Sequence, residues 1–442
     1  MKLTSVSIIK KLRREGFAAY WAGGCVRDML LGITPKDYDI ATSARPEELK
    51  KTLAKIIPVG EKYGVVLAQQ NGHHFEMATF RSDSGYSDGR RPDAVLFTDA
   101  KEDALRRDFT INAIFYDPLE DKIFDYVGGQ EDLKNKLVRF IGDPHERILE
   151  DHLRIIRAVR FKNTFGFQYD PATYQALKKH EALANKVSGE RIRDELNKMI
   201  LHASFPQALE DMEDLGILAV ILPEIQALKG VAQPPEYHTE GDVWEHTLRA
   251  FAAVKPEASL ILRWAVFLHD VGKAETYKIA ERIRFDHHAE KSAELAEQIL
   301  RRLKFSTKDM KIIQWLVQHH MMVYNVLEMP VGRRRHWFLK PWYLDLLELN
   351  RCDASGTVPS RLDTYEKVLA LYRKDMKEMP REPKRLLTGE EIMKFLKIPA
   401  GPKIKEILEE VRLEQLAGRL KTQMQAKKFV VEKFKPSGKL KN

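Results

Sequence analysis

The chain has 442 residues, 44% of them hydrophobic and 31% charged, with a formal net charge of +9. Such a length implies several domains, and the lack of any apolar run near the ~20 residues of a spanning helix excludes a helical membrane protein. The positive excess favours a polyanionic partner. Cys25 and Cys352 lie too far apart for a paired-thiol motif; they read as buried free thiols in a reducing, cytoplasmic setting, with no thiolate metal site.

In chain order, residues 5–16 read as an amphipathic helix with no export signal, followed by a strand near Ala18–Ala22, a Gly-Gly turn, a helix over Val26–Leu31 and a strand through Tyr38–Ala41. Strand-like runs at Gly64–Gln69, Phe75–Phe80, Ile111–Phe115 and Lys122–Asp125 predict one small, mostly antiparallel sheet. Between them lies a loop, Arg81–Val95, rich in Gly, Ser and Asp and expected to be mobile. From about Arg147 the apolar period becomes helical, strand signals nearly vanish, and an all-α body is expected. Gly230–Gly241 and Glu378–Lys384 read as linkers. Residues 401–442 carry eleven Lys or Arg against five Glu, and Arg333–Arg335 form a second basic run.

The segment AGGCVRDMLLGITPKDYDIAT carries the first chemistry. Residues two apart on a strand share a face, so Asp37 and Asp39 can hold one pair of hard cations that activate a 3′-hydroxyl and stabilise departing pyrophosphate. Gly24, lacking a Cβ, lets a triphosphate approach the backbone and the helix N-terminus behind it, and Arg27 adds a charged donor. Glu76 is a candidate third carboxylate, with a solvated strand residue as the plain alternative.

This segment resembles the class II tRNA nucleotidyltransferase and bacterial poly(A) polymerase family, within the polymerase-β-like superfamily. Arg106-Arg107-Asp108-Phe109-Thr110-Ile111-Asn112-Ala113 is similar to its ribose and triphosphate motif, and Glu150-Asp151-His152-Leu153-Arg154 to its amino-acid template. The resemblance implies that Arg107 binds the triphosphate and that Asp151 and Arg154 read the base edge. Arg157 and Arg160 would continue that stripe along one helix toward the triphosphate. The plain alternatives are an i,i+3 ion pair between Asp151 and Arg154, and a salt bridge from Arg107 to Asp103 or Asp108. Residues Phe80–Phe97 resemble the family's flexible element, whose presence implies an enzyme that places the terminal A.

Farther on, His246 lies in an amphipathic helix and His269-Asp270 close an apolar one, with His287 or His288, His319 or His320, and Asp353 following. Imidazoles and carboxylates in this order suit a divalent metal and resemble the HD phosphohydrolase superfamily.

The fold expected is α+β: a polymerase-β-like head with a small mixed sheet over 1–146, a helical neck and RNA-binding domain over 147–229, an HD-type metal-binding domain over 230–378 and a basic helical tail over 379–442. The resemblance implies addition of CCA to tRNA from CTP and ATP. It requires Mg2+ in the head, and Mg, Mn or Ni at His246, His269, Asp270 and Asp353. The rivals are an A-adding enzyme working with a CC-adding partner, a poly(A) polymerase, and an HD-domain RNA phosphohydrolase whose head only binds RNA.

Overall fold

The computed structural model describes residues 1–86, 89, 92–235, 238–379 and 382–434. Parts of the Arg81–Val95 loop, of both expected linkers and of the basic tail lie outside the described residues. The chain divides into two compact units, Met1–Gln226 and Ala227–Asn442.

In the first unit the strands are β1 (Ala19–Ala22), β2 (Ile40–Thr42), β3 (Ile56–Ile57), β4 (Val65–Gln70), β5 (His73–Thr79), β6 (Arg81–Ser84), β7 (Ala94–Phe97), β8 (Ile114–Asp117) and β9 (Lys122–Asp125). Seven of them form one mixed sheet in the order β3-β4-β5-β2-β1-β8-β9. All its pairs are antiparallel except β2 with β5, where Ile40 faces Met77. Hairpin β4–β5 closes through Asn71 and Gly72, both at positive φ (50° and 75°). Two such residues match the right-handed twist of the flanking strands and fix the register, Gln70 opposite His73.

Helix Lys2–Arg14 buries Ile8, Ile9 and Leu12, and Trp21 of β1 donates its indole N–H to Ser5 at 3.0 Å. A second layer is built on small residues: Ala22, Ala41, Ala100, Ala104 and Ala113 pack with Phe80 and Phe115, so helix Ala100–Leu105 can approach the sheet closely. The helical part follows with Pro144–Glu150, Leu153–Phe165, Pro171–His180, Gly189–Ile200 and Phe205–Asp214.

Several expectations need correction. Asp37 and Asp39 precede β2 rather than lie on it, although the Ala22 N–H still bonds to the Asp39 carbonyl at 3.0 Å. Ile111 sits in a 3-10 turn, Thr110–Asn112, and the strand starts only at Ile114. Much of the expected loop is a hairpin: Arg81 pairs with Phe97 and Ser84 with Ala94. The body is not purely helical either, since Leu137–Val138 pairs with Gln168–Tyr169 and Tyr277–Ile279 with Ile283–Phe285.

In the second unit, helices Val243–Ala252, Leu260–Leu268, His288–Arg302, Thr307–His319 and Tyr343–Gly356 enclose a core that includes Trp264, Phe267, Leu316 and Leu349. Helices Gly389–Leu396, Pro402–Leu416 and Gln423–Phe434 share a smaller core of Leu387, Ile392, Ile407, Val411 and Val430. Among the described residues no helix is long and apolar enough to cross a membrane.

Candidate functional sites

A cavity of about 1050 Å³ in the first unit is lined by Gly23, Gly24, Arg27, Asp37, Asp39, Glu76, Arg107, Asp151, Arg154, Arg157, Arg160 and Arg191, among others. Sheet register explains one member that spacing alone could not assign. Because Ile40 faces Met77 in the parallel pair, the preceding residues, Asp39 and Glu76, are neighbours at the cavity wall. Burial first, then the charges of Glu76 and Asp37, push the Asp39 pKa up to about 7, with Arg107 opposing. A cluster of hard oxygen donors that repel one another in this way fits a divalent cation such as magnesium. The carboxylates are looser than the ligand groups of the second unit: among the described residues, every trio of His, Cys, Asp or Glu with ligand atoms within 4.8 Å lies in that unit.

Gly23 has φ 71° and ψ −129°, and a Cβ there would sit 3.2 Å from Arg107 Nη1. Gly24 opens helix Gly24–Leu30. Arg27 is buried and donates to Asn112 Oδ1 (2.6 Å) and Asp28 (2.6 Å), while its guanidinium lies 4.4 Å from the Phe165 ring centre. Arg107 forms a salt bridge with Asp103 (3.0 Å), one of the two partners named in the plain alternative, and also donates to the Asn112 carbonyl (3.2 Å), while lining the cavity. These bonds hold both cations toward the cavity without neutralising Asp37 or Asp39.

Asp151 and Arg154 reach the same cavity by a route the sequence does not announce. The helix breaks at Asp151, whose backbone is extended (φ −146°, ψ 104°), and restarts at Leu153. An i,i+3 pair on one helix is therefore not formed. Asp151 accepts a fork from Arg191, Nη1 at 2.9 Å and Nη2 at 2.7 Å. Arg154 donates to Glu150 (2.5 Å) and to the carbonyls of Arg147 (2.8 Å) and Arg106 (3.3 Å). Arg157 is held by Asp108 (2.6 Å) and Arg160 by Glu195. The hairpin β6–β7 also meets this junction, through a bond from the His152 N–H to the Gly89 carbonyl at 3.3 Å.

The second unit gathers its ligand candidates tightly. His246, His269 and Asp353 form one trio, and Asp270, His288 and His320 another. His246 Nε2 is 3.1 Å from Asp353 Oδ1, and His269 Nε2 is 3.3 Å from Asp270 Oδ2. Asp270 Oδ1 lies 3.6 Å from His288 Nε2 and 3.8 Å from His320 Nε2. Three of the rings place Nδ1 on a backbone carbonyl: His269 on Val266 (2.8 Å), His288 on Phe285 (2.9 Å) and His320 on Val317 (2.7 Å). An Nδ1–H spent in this way leaves Nε2 as the ring atom aimed at the centre, the one a metal takes once any proton on it is displaced. Among the described residues His269 Nε2 and Asp270 Oδ1 are buried without a hydrogen-bond partner, so the donor set fits a divalent metal.

The structure thus selects His288 and His320 from the sequence alternatives. His287 is the left-handed residue before the helix (φ 60°) and points to solvent, and His319 stacks on Trp315 at 4.7 Å. The sequence reading missed Glu240. Its side chain is buried, accepts from His246 Nδ1 (3.1 Å) and His238 Nδ1 (2.6 Å), and takes the Val358 N–H at 2.8 Å. Its carboxylate orients His246 as the carbonyls orient the other rings. A cavity of about 680 Å³ opens over the cluster, lined in part by Lys273, Arg282, Arg284 and Tyr324.

Of the basic run, Arg334 and Arg335 are engaged internally with Asp375, at 2.9 and 3.2 Å, and only Arg333 is exposed.

A mixed-sheet head that brings acidic residues to one wall of a cavity, with arginines around it, defines a polymerase-type nucleotidyltransferase. Residues 19–139 match the Poly A polymerase head domain, residues 166–229 the probable RNA and SrmB-binding site of polymerase A, and residues 242–342 the HD domain. The chain is 33% identical to the A-adding tRNA nucleotidyltransferase of Deinococcus radiodurans over 436 residues, covering 92% of this chain and 94% of that one. It therefore belongs to the tRNA nucleotidyltransferase family. It is also 38% identical to the CCA-adding enzyme of Ligilactobacillus salivarius over 265 residues, which is 59% of this chain and spans 65% of that protein's length. The CCA-adding enzyme of Bacillus stearothermophilus, solved in complex with CTP, superposes with a TM-score of 0.73 at 27% identity, covering 97% of this chain and 96% of that one.

Proposed function

We propose that this protein adds CCA to the 3′ end of tRNA from CTP and ATP. The observation that carries the reading is the single cavity shared by Asp37, Asp39 and Glu76, the arginines Arg107, Arg157 and Arg160, and the pair Asp151 and Arg154. The work is divided among head 1–146, neck 147–229, metal-binding domain 230–378 and tail 379–442.

Asp37 and Asp39, with Glu76 beside them, would hold Mg2+. When bound, that ion supplies Lewis-acid activation of the primer hydroxyl and neutralises charge on the leaving pyrophosphate. Arg27, Arg107, Arg157 and Arg160 orient the triphosphate for in-line attack at the α-phosphorus, and Gly24 leaves room for its oxygens. Asp151 accepts from a base amino group and Arg154 donates to ring nitrogen or carbonyl acceptors, so the two together distinguish C and A from U and G. In the second unit, His246, His269, Asp270 and Asp353, joined by His288 and His320, would bind Mg, Mn or Ni and support phosphoester hydrolysis. The protein's +9 charge suits tRNA as the partner.

The test is incubation with tRNA lacking all three terminal nucleotides, lacking only the terminal A, or complete, with CTP, ATP or both. Two C additions followed by one A are expected, and incorporation should disappear in the Asp37→Ala, Asp39→Ala double variant. A second reading, A addition alone, is favoured by the full-length match to the Deinococcus A-adding enzyme; extension only of tRNA lacking the terminal A would establish it. Long A tails would instead indicate a poly(A) polymerase.

A further inference from the structure

We propose that Arg191 is the positioning residue of the base-reading pair: it holds the Asp151 carboxylate apart from Arg154 and so sets which base edges the site accepts. The inference rests on the nucleotidyl-transfer reading above.

Asp151 lies at a break between two helices, so its direction is not fixed by regular backbone. Two tethers fix it instead. The Leu153 N–H donates to Oδ1 at 3.1 Å, and the two terminal nitrogens of Arg191 take one oxygen each. Such a fork fixes the plane of a carboxylate as well as its place, which a single ammonium cannot do.

A carboxylate has about four lone-pair sites. Arg191 and the Leu153 N–H use three, leaving acceptor capacity for the amino group of a base. Arg154 is turned the other way, onto Glu150 and two backbone carbonyls. Opposite charges three residues apart would ordinarily meet and cancel. Here each is bound by a third party, and neither is spent on the other.

The helix that carries Arg191, Gly189–Ile200, also carries Glu195 one turn later on the same face, and Glu195 binds Arg160. One rigid element therefore sets both ends of the row that runs from the base to the triphosphate. Without the Arg191 fork, the Asp151 carboxylate would be left to Arg157, whose charge it already feels, and to Arg154 three residues on, and pairing with Arg154 would remove the acceptor and the donor from the reading surface together.

The test is single-nucleotide incorporation into tRNA lacking its terminal nucleotides, comparing kcat/KM for CTP, ATP, UTP and GTP in the full-length protein. Arg191→Ala is expected to keep nucleotidyl transfer while the ratio of correct to incorrect nucleotide falls about tenfold or more, the scale set by one bidentate base contact. Arg191→Lys keeps the charge without the fork, and its ratio should fall between. If Arg191→Ala does not fold, as judged by thermal unfolding, the lysine variant decides on the same ratio. Discrimination within twofold of the wild type, or an equal loss for all four nucleotides, would overturn the proposal while leaving nucleotidyl transfer intact. A wild-type protein inert toward every nucleotide would instead overturn the reading on which it rests.

Discussion

Replacing Asp108 by Asn removes the charge that ties the Arg106–Ala113 segment to helix Leu153–Phe165. Asp108 accepts from the Phe109 N–H (2.8 Å), Asn112 (3.2 Å) and Arg157 (2.6 Å). Burial raises its pKa, but Arg157, then Arg154, and these hydrogen bonds outweigh burial and bring it down from 3.8 to about 2. At about 1.4 kcal/mol per pH unit, that fall corresponds to roughly 2.5 kcal/mol of stabilisation. A carboxyl group whose folded pKa is depressed contributes fully above its unfolded value, ~3.9, and the contribution is lost as pH falls through about 2. Asn keeps the shape and one acceptor, and Arg157 can lean on Glu195, 3.9 Å away, so the site should open locally without collapsing. Amide hydrogen exchange of residues 153–165, read by mass spectrometry, should be roughly fiftyfold faster in Asp108→Asn than in wild type at matched pH. That ratio should stay flat from pH 5 to 8, and the difference should shrink below pH 4. A ratio under threefold, or a difference that grows on acidification, would refute the assignment of Asp108 as the charge anchor of this helix.

Gly23→Ala places a Cβ at φ 71° and 3.2 Å from Arg107; backbone strain of about 1–3 kcal/mol should appear as a lower melting temperature and a raised KM for nucleotide, and an unchanged KM would contradict the role given to this turn. Gly272→Ala would put its Cβ 2.5 Å from the Ser292 N and 2.9 Å from the His288 carbonyl. His288 should be displaced from Asp270, and calorimetric titration with manganese or nickel should show weaker binding than in the wild type; wild-type stoichiometry and affinity would argue against His288 as a ligand. In the metal-free protein burial lowers the His269 pKa, but Asp270 and Asp353 raise it to about 10. A cation must then displace a proton at neutral pH, so binding should tighten up to tenfold per pH unit between pH 6 and 9 and release close to one proton per ion from this ring. Calorimetry in two buffers of different ionisation enthalpy measures that release, and pH-independent affinity would exclude it.

Local spacing carried much of this architecture. Gly23-Gly24 before a helix, Asp37 and Asp39 two apart, and the order of His246, His269-Asp270 and Asp353 could be read without coordinates because each is a short-range pattern. What escaped depends on pairing across long separations or on backbone direction. Glu76 was open in the sequence between a third carboxylate and a solvated strand residue, and only the parallel strand register sets it beside Asp39; Arg191, which reaches Asp151 across forty residues, and Glu240, which reaches Val358 across 118, went unseen. The helix break at Asp151 carries no Gly or Pro to mark it; an Asp side chain bonded to the N–H two residues on lets the helix stop and restart. The basic run Arg333–Arg335 is divided by a contact of the same long range, since Asp375, some forty residues later, binds two of its arginines.

Hairpin β4–β5 has a two-residue turn at Asn71 and Gly72 that faces solvent and takes no part in the chemistry. Yet the count of residues from that turn decides which side chain of β5 arrives beside Asp39. One residue inserted or deleted there would slip the strand by one position and send Glu76 to the opposite face, with Phe75 or Met77 in its stead. The acidic wall of the cavity is thus a matter of counting from a distant bend. Length variation at this turn should be tolerated only when the strand takes up the extra residue as a bulge before it reaches Glu76.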